Sequence, residues 1–339
     1  MTKTVLLTGV SGFIAKHIAR ALLARGYLVL GSIRDISRAD EVRAALAGDA
    51  HLDRLKFIEL DLMSDAGWQN AMQGIDCIVH TASPFPMVMP KNHDDLIRPA
   101  LEGTERVLRA AQAAGVKRVI LTSSVVAMIY GHKGPDHVIG PDDWTDLSDP
   151  AVTAYATSKT QAERYAWDWA DKYADAELTV INPGLVLGMP LDAAFGTSLK
   201  LIERLVEGRD PALPNIPLPL VDVADVADLH VRALETPASI ARRFIAVERV
   251  VSLPQLAKHL KQRLPAQRIT TRVAPKPLMG VISLFDPALR AIMPQIGREV
   301  RLSNEQTQRC FDFKFRSGLD AAEDSARYIL STSQSAVGE

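Results

Sequence analysis

The chain has 339 residues, 47% hydrophobic and 23% charged, enough for one large core and a smaller lobe. Lys and Arg number 39 against 40 Asp and Glu, a formal charge of −1 with no block of like charge, which argues against nucleic acid as the main partner. The two cysteines, Cys77 and Cys310, fit a reducing, cytoplasmic compartment; "MTKTVLLTGV" lacks a signal peptide's apolar region, and no run approaches the roughly 18 apolar residues that span a bilayer, so no membrane partner is expected.

From the start, short apolar runs alternate with helical patterns. "TVLLTG" (4–9) reads as a strand, Phe13 to about Arg25 as a helix stopped by Gly26, and "YLVLGSI" (27–33) as the next strand. "LKFIEL" (55–60), "DCIVHT" (76–81), "KRVILTS" (117–123) and "LTVINP" (178–183) continue the rhythm. Repeated βαβ units predict an α/β fold, a doubly wound parallel sheet of the Rossmann type with a smaller C-terminal substrate lobe. The core is placed at 1–183 and the lobe mainly at 184–330, with 220–247 returning to the core through "LVDVADVADLHVRAL" and a short strand at "RRFIAV" (242–247). The proline-rich "DPALPNIPLPLVD" (210–222) reads as irregular, and the polar 331–339 as a flexible tail.

"TGVSGFIAKHIAR" (8–20) follows a strand and opens a helix, the context in which glycines let the backbone approach a pyrophosphate. Gly9, Ser11, Gly12, Phe13 and Ile14 are the candidate contacts there, with Ala15 where a third glycine is common. The plainer reading is a turn that needs glycine only for its shape. After the second strand, where a dinucleotide fold meets the adenosine ribose, the chain carries Arg34 and, one helical turn on, Arg38. Two guanidiniums suit a 2′-phosphate, so the expected cofactor is NADP(H). Asp35 serves a ribose hydroxyl instead if the loop shifts by one residue, and the arginines are otherwise solvated surface charge. Asp61 with Leu62 is placed near the adenine, unless Asp61 is only a turn aspartate; "HTASP" (80–84) offers Thr81, Ala82 and Ser83 at the same edge.

The charge-free loop "SPFPMVMP" (83–90) puts Phe85, Met87 and Val88 forward as an apolar pocket wall, and "VVAMIYG" (125–131) adds Met128 or Tyr130; plain packing is the alternative for each. "LTSSVVA" (121–127) carries a serine pair at a strand end, where a hydroxyl can hold a substrate oxygen. In "AYATSK" (154–159), Tyr155 and Lys159 stand at i and i+4 on one helix face, which Ala162 and Ala166 continue as a packing surface. An ammonium beside a phenol favours phenolate and makes a tunable proton donor. Asp222, Asp225 and Asp228 read as a helix cap followed by two solvent-facing residues, and the eight histidines show no ligand spacing, so no metal is expected.

A glycine-rich turn, a strand-end serine and YxxxK in that order resemble the short-chain dehydrogenase/reductase superfamily over most of the chain. "TGVSGFIAKHI" (8–18), "SIRD" (32–35), "HTASPF" (80–85), "RVILTSS" (118–124), "AYATSKTQAE" (154–163) and "INPGLVLG" (181–188) are most similar to its extended branch of dihydroflavonol, cinnamoyl-CoA and yeast-type aldehyde and ketone reductases. The resemblance implies that Ser124, the second serine, is the active one. It further implies Pro183, Gly184 and Val186 around the nicotinamide, and Thr81, Ala82 and Ser83 under its ribose. It implies hydride transfer from NADPH to the carbonyl of an apolar aldehyde or ketone: Tyr155 gives the proton, Ser124 holds the oxygen, and Lys159 lowers the tyrosine pKa while bonding the ribose. A nucleotide-sugar epimerase or dehydratase is the rival activity, a non-enzymatic dinucleotide-binding regulator a more distant one. A monomer and a homodimer are both compatible with the sequence.

Overall fold

The computed structural model describes residues 2–335 apart from 49–50, 84–91, 133 and 135, and omits the side chains of 287, 288, 291 and 333–335. The first half runs β1 (Thr4–Thr8), α1 (Phe13–Ala24), β2 (Leu28–Ile33), α2 (Ala39–Ala45), β3 (Leu55–Glu59), α3 (Trp68–Ala71), β4 (Cys77–His80), α4 (Asp94–Ala114), β5 (Arg118–Thr122), β6 (Val138–Ile139), α5 (Ala154–Lys172) and β7 (Glu177–Pro183). The second runs β8 (Leu185–Leu187), α6 (Gly196–Val206), β9 (Pro217–Asp222), α7 (Val223–Glu235), β10 (Arg242–Ala246), β11 (Arg249–Ser252), α8 (Leu253–Arg263), α9 (Lys276–Ile282), α10 (Pro287–Ile292), β12 (Arg301–Leu302), α11 (Glu305–Phe311) and α12 (Gly318–Ser335).

Seven parallel strands form the main sheet in the order β10-β7-β5-β4-β1-β2-β3, the fold class expected from the βαβ rhythm. All five residues of β5 are buried, as are the last six of β7, because helices cover both faces; this is why these strands read as unbroken apolar runs. One core layer packs α1 and α7 against the sheet around Ile18, Leu22, Leu229 and Phe244; the opposite layer packs α4 and α5 around Val107, Leu108, Ala166 and Trp169. Strand order reverses between β1 and β4, whose carboxyl ends meet at Thr8 and His80. A crevice opens at such a reversal, and this one faces the end of β5 and the start of α5.

The lobe is built on a three-stranded sheet, β11-β9-β8, under α6, α8 and α12, with its own apolar cluster of Leu199, Ile202, Leu256, Leu260 and Ala326. Here two expectations fail. The proline-rich run from 210 to 222 ends in a regular strand, β9, paired on both sides. The Leu220 carbonyl accepts from Glu248 N, so even-numbered residues turn their amide groups toward β11. Pro217 and Pro219 therefore direct their missing N–H groups to the other edge, where pairing with β8 begins only at Leu220. The tail expected to fray from 331 instead continues α12 to Ser335; residues 336–339 lie outside the described residues.

Candidate active site

The glycine turn after β1 is shaped by close approach. Gly9 has φ +68°, and a Cβ there would stand 3.0 Å from the Ala82 Cβ, so the ends of β1 and β4 touch only because the side chain is absent. Gly12 donates to the Gly9 carbonyl at 2.9 Å and caps α1 without any side-chain hydrogen bond. No acidic residue occupies the first turn, so its amide donors and the positive end of the helix are left for an anion. Ala15, 3% exposed, fits the tight helix-to-sheet contact where glycine is common. Phe13 and Ile14 pack against the small cluster of Val186, Val221, Val223 and Val226, which joins the turn to the lobe, and Ser11 is half-buried beside them. These features fit a dinucleotide pyrophosphate.

Thr8 stitches the crevice floor. Its hydroxyl lies 2.8 Å from His80 Nδ1 and accepts from the amides of Thr81 and Ala82, both at 3.1 Å. Burial, aided by the Lys159 charge, drops the His80 pKa to about 3, so the ring is neutral and its Nδ1 accepts the Thr8 proton. Ala82 and Ser83 line a narrow cleft with Ser123, Lys159 and Glu163.

After β2, where the adenosine ribose is expected, Arg34 is exposed and makes no hydrogen bond or ion pair with any described residue. Arg38 is also exposed and pairs with Glu41 at 3.0 Å. Asp35 accepts from the Ser37 hydroxyl at 2.7 Å and its amide at 3.0 Å, bonds that hold its carboxyl below the usual range and turn it toward its own loop rather than a ribose. Asp61 accepts from Met63 N at 2.9 Å, a turn contact, and the Leu62 carbonyl is taken by Arg106.

Thr153 caps α5 by accepting from Ala156 N at 3.1 Å, and the helix then delivers Tyr155 in its first turn and Lys159 in its second. The Tyr155 phenol is hydrogen-bonded to Ser124, so the two hydroxyls converge as the motif order requires. Ser124, 7% exposed, also donates to the Pro183 carbonyl at 3.4 Å. Its neighbour Ser123 points elsewhere, donating to Glu163 at 2.5 Å. The expected lowering of the tyrosine pKa is not found: burial pushes it up to about 12, more than the Ser124 bond pulls it down. Burial also lowers Lys159 to about 8, against the pull of Glu163.

Glu163 was not legible as a site residue, yet it is fully buried under Lys159 and bonded on every side. It pairs with Arg243 at 2.5 Å and accepts from Asn182 at 2.7 Å, and Asn182 in turn donates to the Ser124 carbonyl at 3.2 Å. The spacing Tyr155, Lys159, Glu163 was the available signal. Gly184 is demanded by the lobe, since a Cβ would meet the Pro219 carbonyl at 2.3 Å.

Other expectations resolve differently. Met128 is fully buried in a cluster with Val125, Ile139 and Ile245 and presents no open wall. Tyr130 is 6% exposed, its ring covered by Arg298. Phe85, Met87 and Val88 lie outside the described residues. Asp222 caps α7 by accepting from Ala224 N at 2.6 Å, but Asp225 does not face solvent: it is 2% exposed and bonded to Arg316, while Asp228 is half-buried and pairs with Arg25 and Arg232. Burial raises Asp225 to about 6. Two histidines without sequence spacing for a ligand pair, His132 and His137, stack at 4.8 Å beside Asp143.

Residues 5–246 match the model of the NAD dependent epimerase/dehydratase family. A cinnamoyl-CoA reductase of Medicago truncatula is 34% identical over 275 residues, 80% of this chain and 83% of that protein. The NADPH-dependent methylglyoxal reductase of Saccharomyces cerevisiae is 28% identical over 96% of this chain and 98% of its own. The crystal structure of yeast methylglyoxal/isovaleraldehyde reductase complexed with NADPH superposes with a TM-score of 0.82 at 25% identity, covering 98% of this chain and 99% of that one.

Proposed function

From a chain that belongs to the NAD-dependent epimerase/dehydratase family, the extended short-chain dehydrogenases and reductases, and that is an NAD(P)-dependent reductase, we infer a finer activity: NADPH-dependent reduction of an apolar aldehyde or ketone to its alcohol. The observation that carries this reading is the Ser124–Tyr155 hydroxyl pair, which joins the end of β5 to the helix that also carries Lys159.

NADPH, when bound, supplies the hydride. The glycine turn and the open first turn of α1 would hold its pyrophosphate, and Arg34 its 2′-phosphate. Lys159 would bond the nicotinamide ribose, with Thr81, Ala82 and Ser83 beneath it; Ala82 and Ser83 line the same cleft as Lys159. The substrate carbonyl oxygen accepts hydrogen bonds from Ser124 and Tyr155. As the carbonyl carbon gains hydride, the phenolic proton moves to that oxygen and the alcohol forms. A phenol pKa near 12 keeps Tyr155 loaded with its proton at neutral pH, the state an acid needs. The Lys159 ammonium stabilises the phenolate left behind, which solvent reprotonates. Pro183, Gly184 and Val186 stand at the β7–β8 junction, where the Pro183 carbonyl accepts from Ser124, and would lie against the nicotinamide.

The NADP(H) named for the yeast relative and reductase names among the relatives support this reading over sugar epimerisation, as does Arg34 standing uncompensated where a carboxylate would serve NAD. A panel of aldehydes and ketones, monitored by NADPH and separately by NADH oxidation, tests it. Turnover of apolar carbonyls with NADPH preferred is expected; preference for NADH, or no carbonyl turnover alongside nucleotide-sugar conversion, overturns it.

A further inference from the structure

We propose that His132, His137 and Asp143 form a binding site for a borderline divalent metal ion such as Zn²⁺, outside the reductase machinery. One ligand atom from each residue lies within 4.8 Å of the other two. His137 Nε2 is 3.0 Å, and His132 Nδ1 3.5 Å, from Asp143 Oδ1. Donors bound at ~2.0–2.1 Å in tetrahedral geometry sit roughly 3.3 Å apart, so the trio needs only small shifts to receive an ion.

Hydrogen bonding around the trio leads to the same site. His132 Nε2 faces the Met128 carbonyl, which can only accept, so the hydrogen of the neutral ring resides on Nε2. In that form Nδ1 turns a lone pair toward the Asp143 carboxylate 3.5 Å away, a contact that either a proton on Nδ1 or a metal ion between the two groups satisfies. A ring whose far N–H is fixed on a backbone carbonyl is also how a metal-binding histidine is commonly oriented. His137 reaches its ligating form by shifting its hydrogen from Nε2 to Nδ1.

The aspartate is equally prepared. Its Oδ2 accepts from Gly140 N at 2.7 Å, leaving Oδ1 for the histidines. Its backbone carbonyl accepts from Arg243 at 2.6 Å, and the same guanidinium pairs with buried Glu163, so the ligand is anchored to the core. His132, His137 and Asp143 are 18%, 37% and 22% exposed, which leaves an entry path and room for water as a fourth ligand. Two imidazoles with one carboxylate select the zinc, cobalt and nickel group over magnesium or calcium. The other grouping of this kind among the described residues, His259, Asp320 and Glu323, is less suited, since Arg263 and Arg327 already neutralise the Glu323 carboxylate.

Titration of chelator-treated protein with ZnCl₂ by calorimetry tests the site. One ion per chain should bind, with a rise in melting temperature, and Co²⁺ in its place should show visible ligand-field bands. His137→Gln and Asp143→Asn should each weaken binding about tenfold or more, while His259→Gln leaves it unchanged. No binding by about 100 μM Zn²⁺, or equal affinity in wild type and His137→Gln, overturns the proposal and leaves a histidine–aspartate contact of ordinary kind.

Discussion

The two ends of the crevice are built on opposite plans. At the chemical end, the carboxylate is buried and engaged: Glu163 is 0% exposed and holds Ser123, Asn182 and Arg243. At the adenosine end, Arg34 stands in water with no partner among the described residues, and Asp35 spends its carboxyl on its own turn. A reacting group must be positioned before the substrate arrives, so its supports are locked in the core. A group that only selects among cofactors can stay solvated and form its bond on binding.

The sharpest way to test this contrast is to remove the acid. Tyr155→Phe should lower kcat for carbonyl reduction by about 10³-fold or more, with NADPH affinity by fluorescence titration nearly intact. Near wild-type turnover would break the reading of the chemical end.

Removing one partner of the buried pair comes next. Glu163→Gln leaves the Arg243 guanidinium without its counter-charge in the core and should destabilise folding by about 3–5 kcal/mol in urea melts. An equivalent loss at the exposed Arg38–Glu41 pair should stay below about 1 kcal/mol, which sharpens the comparison directly.

At the other end, Arg34→Ala should weaken NADPH binding about tenfold to a hundredfold while NADH binding changes little, because a charged hydrogen bond to phosphate is lost. Equal losses for both cofactors would place the phosphate elsewhere.

The pH dependence has a definite direction. Lys159, lowered to about 8 by burial, keeps its ammonium below that value and loses it as pH rises through it. The kcat/KM for reduction should hold level from pH 6 to 7.5, then fall about tenfold per unit once well above 8. The smallest effect is local: Thr153→Ala removes the α5 cap and should cost about 1 kcal/mol of stability.

Much of this was readable from the chain because the signals were local. Apolar runs near 4–9 and 117–123 name buried strands, and Tyr155 and Lys159 share a helix face through spacing alone. What escaped depends on residues distant in sequence. Glu163 and Arg243 are 80 positions apart, and only the pairing of β10 with β7 brings them together. Asp225 looks like a surface aspartate by its spacing, yet Arg316, 91 positions on, covers it. Pro217 and Pro219 argue against a strand until one knows which edge each amide faces. Tuning of the phenol was misjudged for a related reason: spacing reveals a neighbouring charge but not the burial that outweighs it.

The last strand of the main sheet enters only at residues 242–246, after most of the lobe strands have been made, and it pairs directly with β7. A ribosome producing this protein therefore releases six of the seven strands with an apolar border still bare, a surface prone to aberrant association until Ala246 has emerged. For the same reason a cut at residue 183 leaves the main sheet one strand short, and a recombination that keeps all seven strands must carry the 242–246 segment along.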